Sequence, residues 1–290
     1  MPFTLSHAAA VLPGVRRDGT AHGPLLASAL IAGSFSPDMT YFAASVVPGG
    51  MEFGEVTHGP LGALTVDVLI SAALVGLWLM ARDPLLALLP TGWQGRVHAV
   101  LKGRRWLDRP PLVVALWFYV SAVIGAGTHI VWDGFTHFDR WGTRTVPALG
   151  EMVAGFPLYT YVQYGTSALA MFALVWFTIS ALRSVPAGLP PAACVPVIGT
   201  SGRRTAAALL GVCVLAGTAH RCVRFYRYWG PGRINNPVDI IPTICFGAGA
   251  GLVLGVVLYA AAVRLRMRHG ALTAGGDTTE RPAPDRTGVS

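Results

Sequence analysis

Leu112-Val113-Val114-Ala115-Leu116-Trp117-Phe118-Tyr119-Val120-Ser121-Ala122-Val123-Ile124-Gly125-Ala126-Gly127-Thr128-His129-Ile130-Val131-Trp132-Asp133-Gly134-Phe135-Thr136-His137 is the stretch whose reading decides the fold. The run from Leu112 to Trp132 holds no charged residue. It is about as long as the roughly 20 residues that cross a bilayer as a helix. His129, Asp133 and His137 then recur every fourth residue. On an α-helix that spacing puts them on one stripe, close enough to share a ligand. A polar stripe at the end of a membrane helix is costly unless it is paired, hydrated or bound to an ion. Imidazole nitrogen and carboxylate oxygen are ordinary ligands of zinc and similar divalent metals. A polar helix end in which His129 bonds to Asp133 is the competing reading of the same stripe.

The rest of the chain has the composition of a membrane protein. Of its 290 residues 53% are hydrophobic and only 12% charged, with mean hydropathy +0.53. A soluble domain carries about 25% charged residues. A net charge of +8 raises the question of nucleic acid. The arginines, however, flank apolar runs, which fits membrane topology and no nucleic-acid partner. Cys194, Cys213, Cys222 and Cys245 form no CxxC pair, and no disulfide can be inferred. The start lacks a basic segment before its apolar residues, so His7 is expected to stay in the mature chain.

Five spans are expected: Leu61 to Ala81, Leu112 to Trp132, Gly165 to Leu182, Thr205 to about Ala219, and Ile240 to Val263. The fold class is therefore all-α, a polytopic bundle of about five transmembrane helices. Residues 1–269 are read as one membrane-embedded domain, with an N-terminal helical segment, and residues 270–290 as a disordered polar tail. In the N-terminal segment a short helix over Ala8–Leu12 is expected, capped by Thr4 or Ser6. Ser36 reads as the cap of a second helix with Pro37 at its first position. Asp38 then falls in the first turn, where the helix dipole alone can explain an acid. Gly33 and Pro37 argue that Leu25–Val47 is broken and does not cross the membrane. Asp67 falls inside the first expected span and is a functional suspect for that reason.

The loops 82–110 and 183–204 and residues 264–268 are basic, which places them in the cytoplasm. The N-terminal 60 residues and the segment 133–164 then lie outside. The segment 221–239 is basic yet falls outside, and it breaks the rule. With Leu25–Val47 folded back, His7, Asp38, His58, His129 and Asp133 can converge at one membrane face. They offer three imidazoles and two carboxylates from separated segments. Such a set can hold one divalent metal, zinc or manganese, with a water position, or two metals sharing a carboxylate.

The stretches Met1-Pro2-Phe3-Thr4-Leu5-Ser6-His7, Gly33-Ser34-Phe35-Ser36-Pro37-Asp38, Thr57-His58 and Thr128-His129-Ile130-Val131-Trp132-Asp133, with Gln163, resemble a bacterial membrane family described only as domain of unknown function number 4184. More distantly, the order Pro-Asp, Thr-His, His-x-x-x-Asp is similar to the inner-membrane metal-dependent hydrolases. It is also similar to zinc-dependent phospholipase C, an all-helical enzyme that cleaves phosphoesters with a zinc cluster. The resemblance implies a multi-pass protein of the bacterial inner membrane. Carried over by position, the metal ligands are His7, Asp38, His58, His129 and Asp133. The chain departs from the phospholipases in lacking their N-terminal Trp ligand and a second His-x-x-x-Glu helix.

The function expected is that of an integral-membrane metal-dependent hydrolase of phosphoester or lipid-linked substrates, with its site at the extracytoplasmic face. Asp38 and His137 are the candidates for proton transfer, and Arg140, Arg144, Arg224 and Arg227 for holding phosphate. Membrane lipids are the expected partners, and a phospholipid is a candidate substrate. Two other classes stay open. One is an ion-binding or transport protein that uses the same cluster. The other is a non-catalytic membrane protein with a buried hydrogen-bonded network.

Overall fold

In the computed structural model the described residues are 3–103, 108–230 and 237–276. Arg104 and Arg105 of the basic loop, and the polar tail beyond Gly276, lie outside them. The chain is an all-α bundle. Five of its helices are long and apolar enough to cross a membrane: α6 (Val66–Leu88), α8 (Pro111–Thr136), α10 (Leu158–Arg183), α11 (Thr200–Trp229) and α12 (Pro237–Gly276). The shorter helices are α1 (Ala8–Val11), α2 (Ala27–Phe35), α3 (Met39–Ala43), α4 (Gly54–Thr57), α5 (Pro60–Leu64), α7 (Thr91–Leu101) and α9 (Trp141–Thr145). A two-residue hairpin, β1 (Met152–Val153) and β2 (Phe156–Pro157), precedes α10. It turns through Ala154 and Gly155, both at positive φ.

Two boundaries differ from the expectation in a way that matters. The first span does not begin at Leu61. Thr65 leaves helical geometry at φ −130, ψ −83, so α5 and α6 are separate helices. Asp67 therefore sits in the first turn of α6 and not deep in the span. The fourth span does not end near Ala219, because α11 continues unbroken to Trp229 and carries His220, Arg221 and Arg224 with it. The last helix also runs on to Gly276, past the Gly270 where the tail was expected to begin.

The long helices alternate in direction, and side-chain bonds sort the connecting segments onto two ends. At one end, Arg96 donates to the Leu182 carbonyl, Arg203 to Ala87 and Arg264 to Met80. At the other, Arg221 donates to the Tyr41 carbonyl and Arg224 to Ala44 and Ser45. The basic segment that broke the charge rule is thus engaged by protein. These guanidinium groups satisfy carbonyls left open at the C-terminal end of α3. Arg224 is committed to them, which removes it from the phosphate-holding candidates.

Leu25–Val47 is broken as expected. Helix α2 ends at Phe35, a tight turn spans Ser36–Asp38, and α3 follows. The capping expectation was wrong in detail. Ser36 bonds back to the Gly33 carbonyl, and neither Thr4 nor Ser6 caps a helix. A long-range partner took Thr4 instead, as described below.

Helix α2 lies against α8 at a distance that only bare backbone allows. A Cβ on Gly33 would stand 2.3 Å from the Ala122 carbonyl oxygen, and one on Gly125 would stand 2.3 Å from that of Leu30. Small residues are the usual means of such close crossing between membrane helices. Helices α11 and α12 use the same device at Gly217, Gly247 and Gly251.

A Gly125→Val variant should therefore force α2 and α8 apart, at the cost of about 1–3 kcal/mol usual for overpacking. Gly127 has nothing within 4 Å of an added Cβ, so Gly127→Val is the control. Thermal unfolding of the detergent-solubilised protein should show a clear drop for the first variant and little change for the second.

Candidate metal centre

The crossing of α2 and α8 sets His129. Its Nδ1 lies 2.7 Å from the Ser34 carbonyl oxygen, and the ring is fully buried. A carbonyl only accepts, so Nδ1 carries the proton and Nε2 presents a lone pair. His58, at the C-terminal end of α4, is held the same way, with Nδ1 2.9 Å from the Gly54 carbonyl oxygen. Thr57 ties that turn to the proline turn through a 2.8 Å bond to the Pro37 carbonyl. An outer hydrogen bond of this kind is the usual means of orienting a metal-binding imidazole.

Asp38 follows from the tight turn. Its Oδ2 accepts the Thr4 hydroxyl at 2.5 Å, leaving Oδ1 to face inward. Asp133 lies one turn beyond His129 on α8. The four inward atoms form a compact set. His58 Nε2 is 3.5 Å from Asp38 Oδ1 and 3.6 Å from Asp133 Oδ2. His129 Nε2 is 3.5 Å from each of the same two oxygens. All four ligand atoms lie within 4.8 Å of one another, and all four residues are buried. Ligands about 2.0–2.2 Å from one tetrahedral ion stand roughly 3.3–3.6 Å apart. The donor set and its spacing therefore fit a divalent metal, and this group can hold one.

The fifth expected ligand stands beside the four. His7 Nε2 is 3.4 Å from Asp133 Oδ1, the carboxylate oxygen turned away from His58 and His129. The His7 ring stacks on His129 with centroids 3.5 Å apart. Asp133 thus stands between the four-atom group and His7. Among the described residues, none forms a hydrogen bond with His7 Nε2, His129 Nε2 or Asp38 Oδ1. Burial holds His7 well below the usual imidazole range and so keeps it neutral.

His137 stands at the rim. Its Nδ1 is 3.6 Å from Asp133 Oδ2, and its Nε2 is 3.1 Å from the Gln163 side-chain nitrogen. Burial draws its pKa down to about 4. Beyond the rim a cavity of about 250 Å³ is lined by His58, Asp133, Arg140, Trp141 and Arg144 among others. Gly134 makes this lining possible. Trp141 packs where a Cβ on Gly134 would stand, 2.6 Å from its ring nitrogen, and so folds α9 back over the end of α8. Arg144 is paired with Asp139 by two bonds of 2.8 and 2.9 Å, whereas Arg140 lies close to the Tyr41 hydroxyl.

Sequence reasoning missed Thr4, Ser34 and Tyr41 as parts of this site. Tyr41 stacks on His58 with centroids 5.3 Å apart, and burial pushes its phenol up to about 12. Thr4 carries no local signal, since the carboxylate it meets, that of Asp38, lies 34 residues away in the chain. A main-chain carbonyl such as that of Ser34 has no signal at all.

The family model for a domain of unknown function (DUF4184) matches residues 1–261, and the chain belongs to that family. No curated protein and no solved structure matches it.

Asp133→Ala and His129→Ala should each lower the metal content of purified protein by about one ion per chain relative to the unaltered chain, read by elemental analysis. His7→Ala should leave that content unchanged, because the four-atom group is intact without it. Lowering the pH to about 5 should strip the metal, since proton and metal compete for the same imidazole lone pairs.

Proposed function

We propose that this member of the DUF4184 family is a membrane-embedded metal-dependent hydrolase of phosphoester or lipid-linked substrates. One observation carries the reading: four inward-facing donor atoms from three separate segments, with nitrogen–oxygen separations of 3.5–3.6 Å, beside a cavity with a guanidinium on its wall. A divalent ion there, zinc or manganese, supplies Lewis acidity and lowers the pKa of a water toward about 7.

The chain's own residues have separable tasks in this reading. Asp38, His58, His129 and Asp133 hold the ion, and Thr4, Gly54 and Ser34 fix the angle at which they do so. His7 faces the remaining oxygen of Asp133, so these two residues would be the ones to hold a second ion. Asp38 has both oxygens engaged, one by Thr4 and one by the ligand set, so proton transfer falls to His137 at the rim. Gln163 supports that role by donating to His137 Nε2, which leaves Nδ1 directed at Asp133. Arg140 is placed to meet an anionic oxygen of the substrate entering the cavity. Arg144 already has a carboxylate partner.

The face is proposed to be extracytoplasmic. The engaged basic residues Arg96, Arg203 and Arg264 gather at the end opposite the site. Arg221 and Arg224, at the site end, are taken up by carbonyls. The segments at the opposite end, 82–110, 183–204 and 264–268, are the basic ones that the charge rule places in the cytoplasm.

Ion binding without turnover is favoured by one further observation. Asp67 is fully buried, and among the described residues neither of its carboxylate oxygens has a hydrogen-bond partner. If that reading holds, Asp67→Asn abolishes ion-dependent behaviour as fully as Asp133→Asn does.

The purified protein loaded with zinc or manganese should hydrolyse a phosphoester panel that includes phospholipid headgroups. Arg140→Ala should lower kcat/KM about 10–100-fold, chiefly through KM, while Asp133→Asn removes turnover. Absence of turnover on every ester, with metal still bound, would decide against the hydrolase. For topology, Val197→Cys at the far end should resist an impermeant thiol reagent in intact cells, whereas Glu151→Cys at the site end should label.

A further inference from the structure

A second group of metal-binding side chains lies at the end of the bundle away from the His/Asp centre. Asp83 near the end of α6, His98 in α7 and Cys194 in the loop between α10 and α11 each offer one ligand atom. These atoms all lie within 4.8 Å of one another. Cys194 Sγ stands 3.5 Å from His98 Nε2. A tetrahedral zinc has Zn–S of about 2.3 Å and Zn–N of about 2.0–2.1 Å, which puts sulfur and nitrogen roughly 3.5 Å apart. The observed separation is that of two ligands on one ion.

The three donors are brought together by packing that does not depend on them. Val195, next to Cys194, is buried against Leu86 and Ala87 at the end of α6, with Val97 of α7 alongside. The loop backbone also lies directly on α7. A Cβ on Gly95 would meet the Leu189 and Pro190 carbonyl oxygens at 2.2 and 2.5 Å. Arg203, just past the loop, donates to the Ala87 carbonyl. Cys194 is therefore delivered to His98 by a fixed loop.

We infer that Asp83, His98 and Cys194 form a second divalent-metal site, of zinc type, that ties the 185–196 loop to α6 and α7. A thiolate and an imidazole select zinc or cobalt over magnesium or calcium. Asp83 Oδ1 accepts a 2.9 Å bond from Arg82, which leaves the other carboxylate oxygen for the metal. Cys194 is exposed, so the fourth position opens to solvent and the ion exchanges with the medium. The site is independent of the His/Asp centre, which contains no sulfur.

That difference supplies the test. The metal-free, full-length protein is loaded with Co(II) in detergent. A thiolate-to-cobalt charge-transfer band should appear in the near ultraviolet, and the Asp133→Ala variant should keep it. Cys194→Ser should lose the band, and His98→Gln should lose or shift it. Metal content should fall in each from about two ions per chain to about one. Cys194 is exposed, so its replacement leaves the fold intact, which unchanged thermal unfolding of the metal-free variant verifies. A wild-type protein with no such band, or a Cys194→Ser protein that retains it, overturns the assignment.

Discussion

The contact between α2 and α8 is the constraint on which the rest depends. Gly33 and Gly125 let the two backbones meet without intervening side chains, and that closeness puts the Ser34 carbonyl within 2.7 Å of His129 Nδ1. The bond serves both partners. It satisfies a carbonyl that sits where water is scarce, and it fixes the tautomer and plane of the imidazole. Asp133 follows on the next turn of α8, and Asp38 follows from the turn that ends α2. Three of the four inward donors are thus placed by a single helix crossing. The fourth, His58, is brought in by Thr57, whose hydroxyl reaches the Pro37 carbonyl.

The C-terminal pair of helices supports this arrangement from outside. Helices α11 and α12 pack on each other through Gly217, Gly247 and Gly251, whose missing side chains admit the opposite backbone. Arg221 and Arg224 then reach from α11 to the carbonyls of Tyr41, Ala44 and Ser45. Phe246 of α12 packs against Tyr41 and Phe42. Tyr41 in turn stacks on His58. The fold-back segment that carries Asp38 is clamped between α8 on one side and α11 with α12 on the other. A segment with so many exposed carbonyls would be unstable at a membrane boundary without such donors.

Much of this was legible before any coordinates. The apolar runs gave five spans, because hydrocarbon thickness dictates a length that composition reveals directly. The i, i+4 pair His129 and Asp133 was legible because helical spacing alone puts both on one stripe. Pro37 and Gly33 marked the break that keeps His7 and His58 at the same end. What could not be read were interactions that depend on tertiary neighbours. Thr4 has the look of a helix cap, but the carboxylate of Asp38 is a stronger acceptor partner than a local amide is a donor. Asp67 looked deep in a span because the break at Thr65 has no glycine or proline to announce it. Arg221 and Arg224 looked like lipid-facing charges, since the carbonyls they satisfy belong to a helix end far away in the chain.

The spacing of the four donors also fits a metal ion at their centre. In both histidines Nδ1–H is already given to a carbonyl, so an unprotonated Nε2 offers only a lone pair. The carboxylate oxygens facing these nitrogens are acceptors as well. Four acceptors turned toward one point repel each other unless a cation lies between them. Protons on the imidazoles would fill that need only by drawing each nitrogen to about 2.7–2.9 Å from a carboxylate oxygen. The four nitrogen–oxygen separations are instead 3.5, 3.6, 3.5 and 3.5 Å, nearly equal and all longer than such a bond. A proton bridges one pair at a time and would leave the set unequal. A single ion at the centre would act on all four alike, and the near-equal separations fit that arrangement.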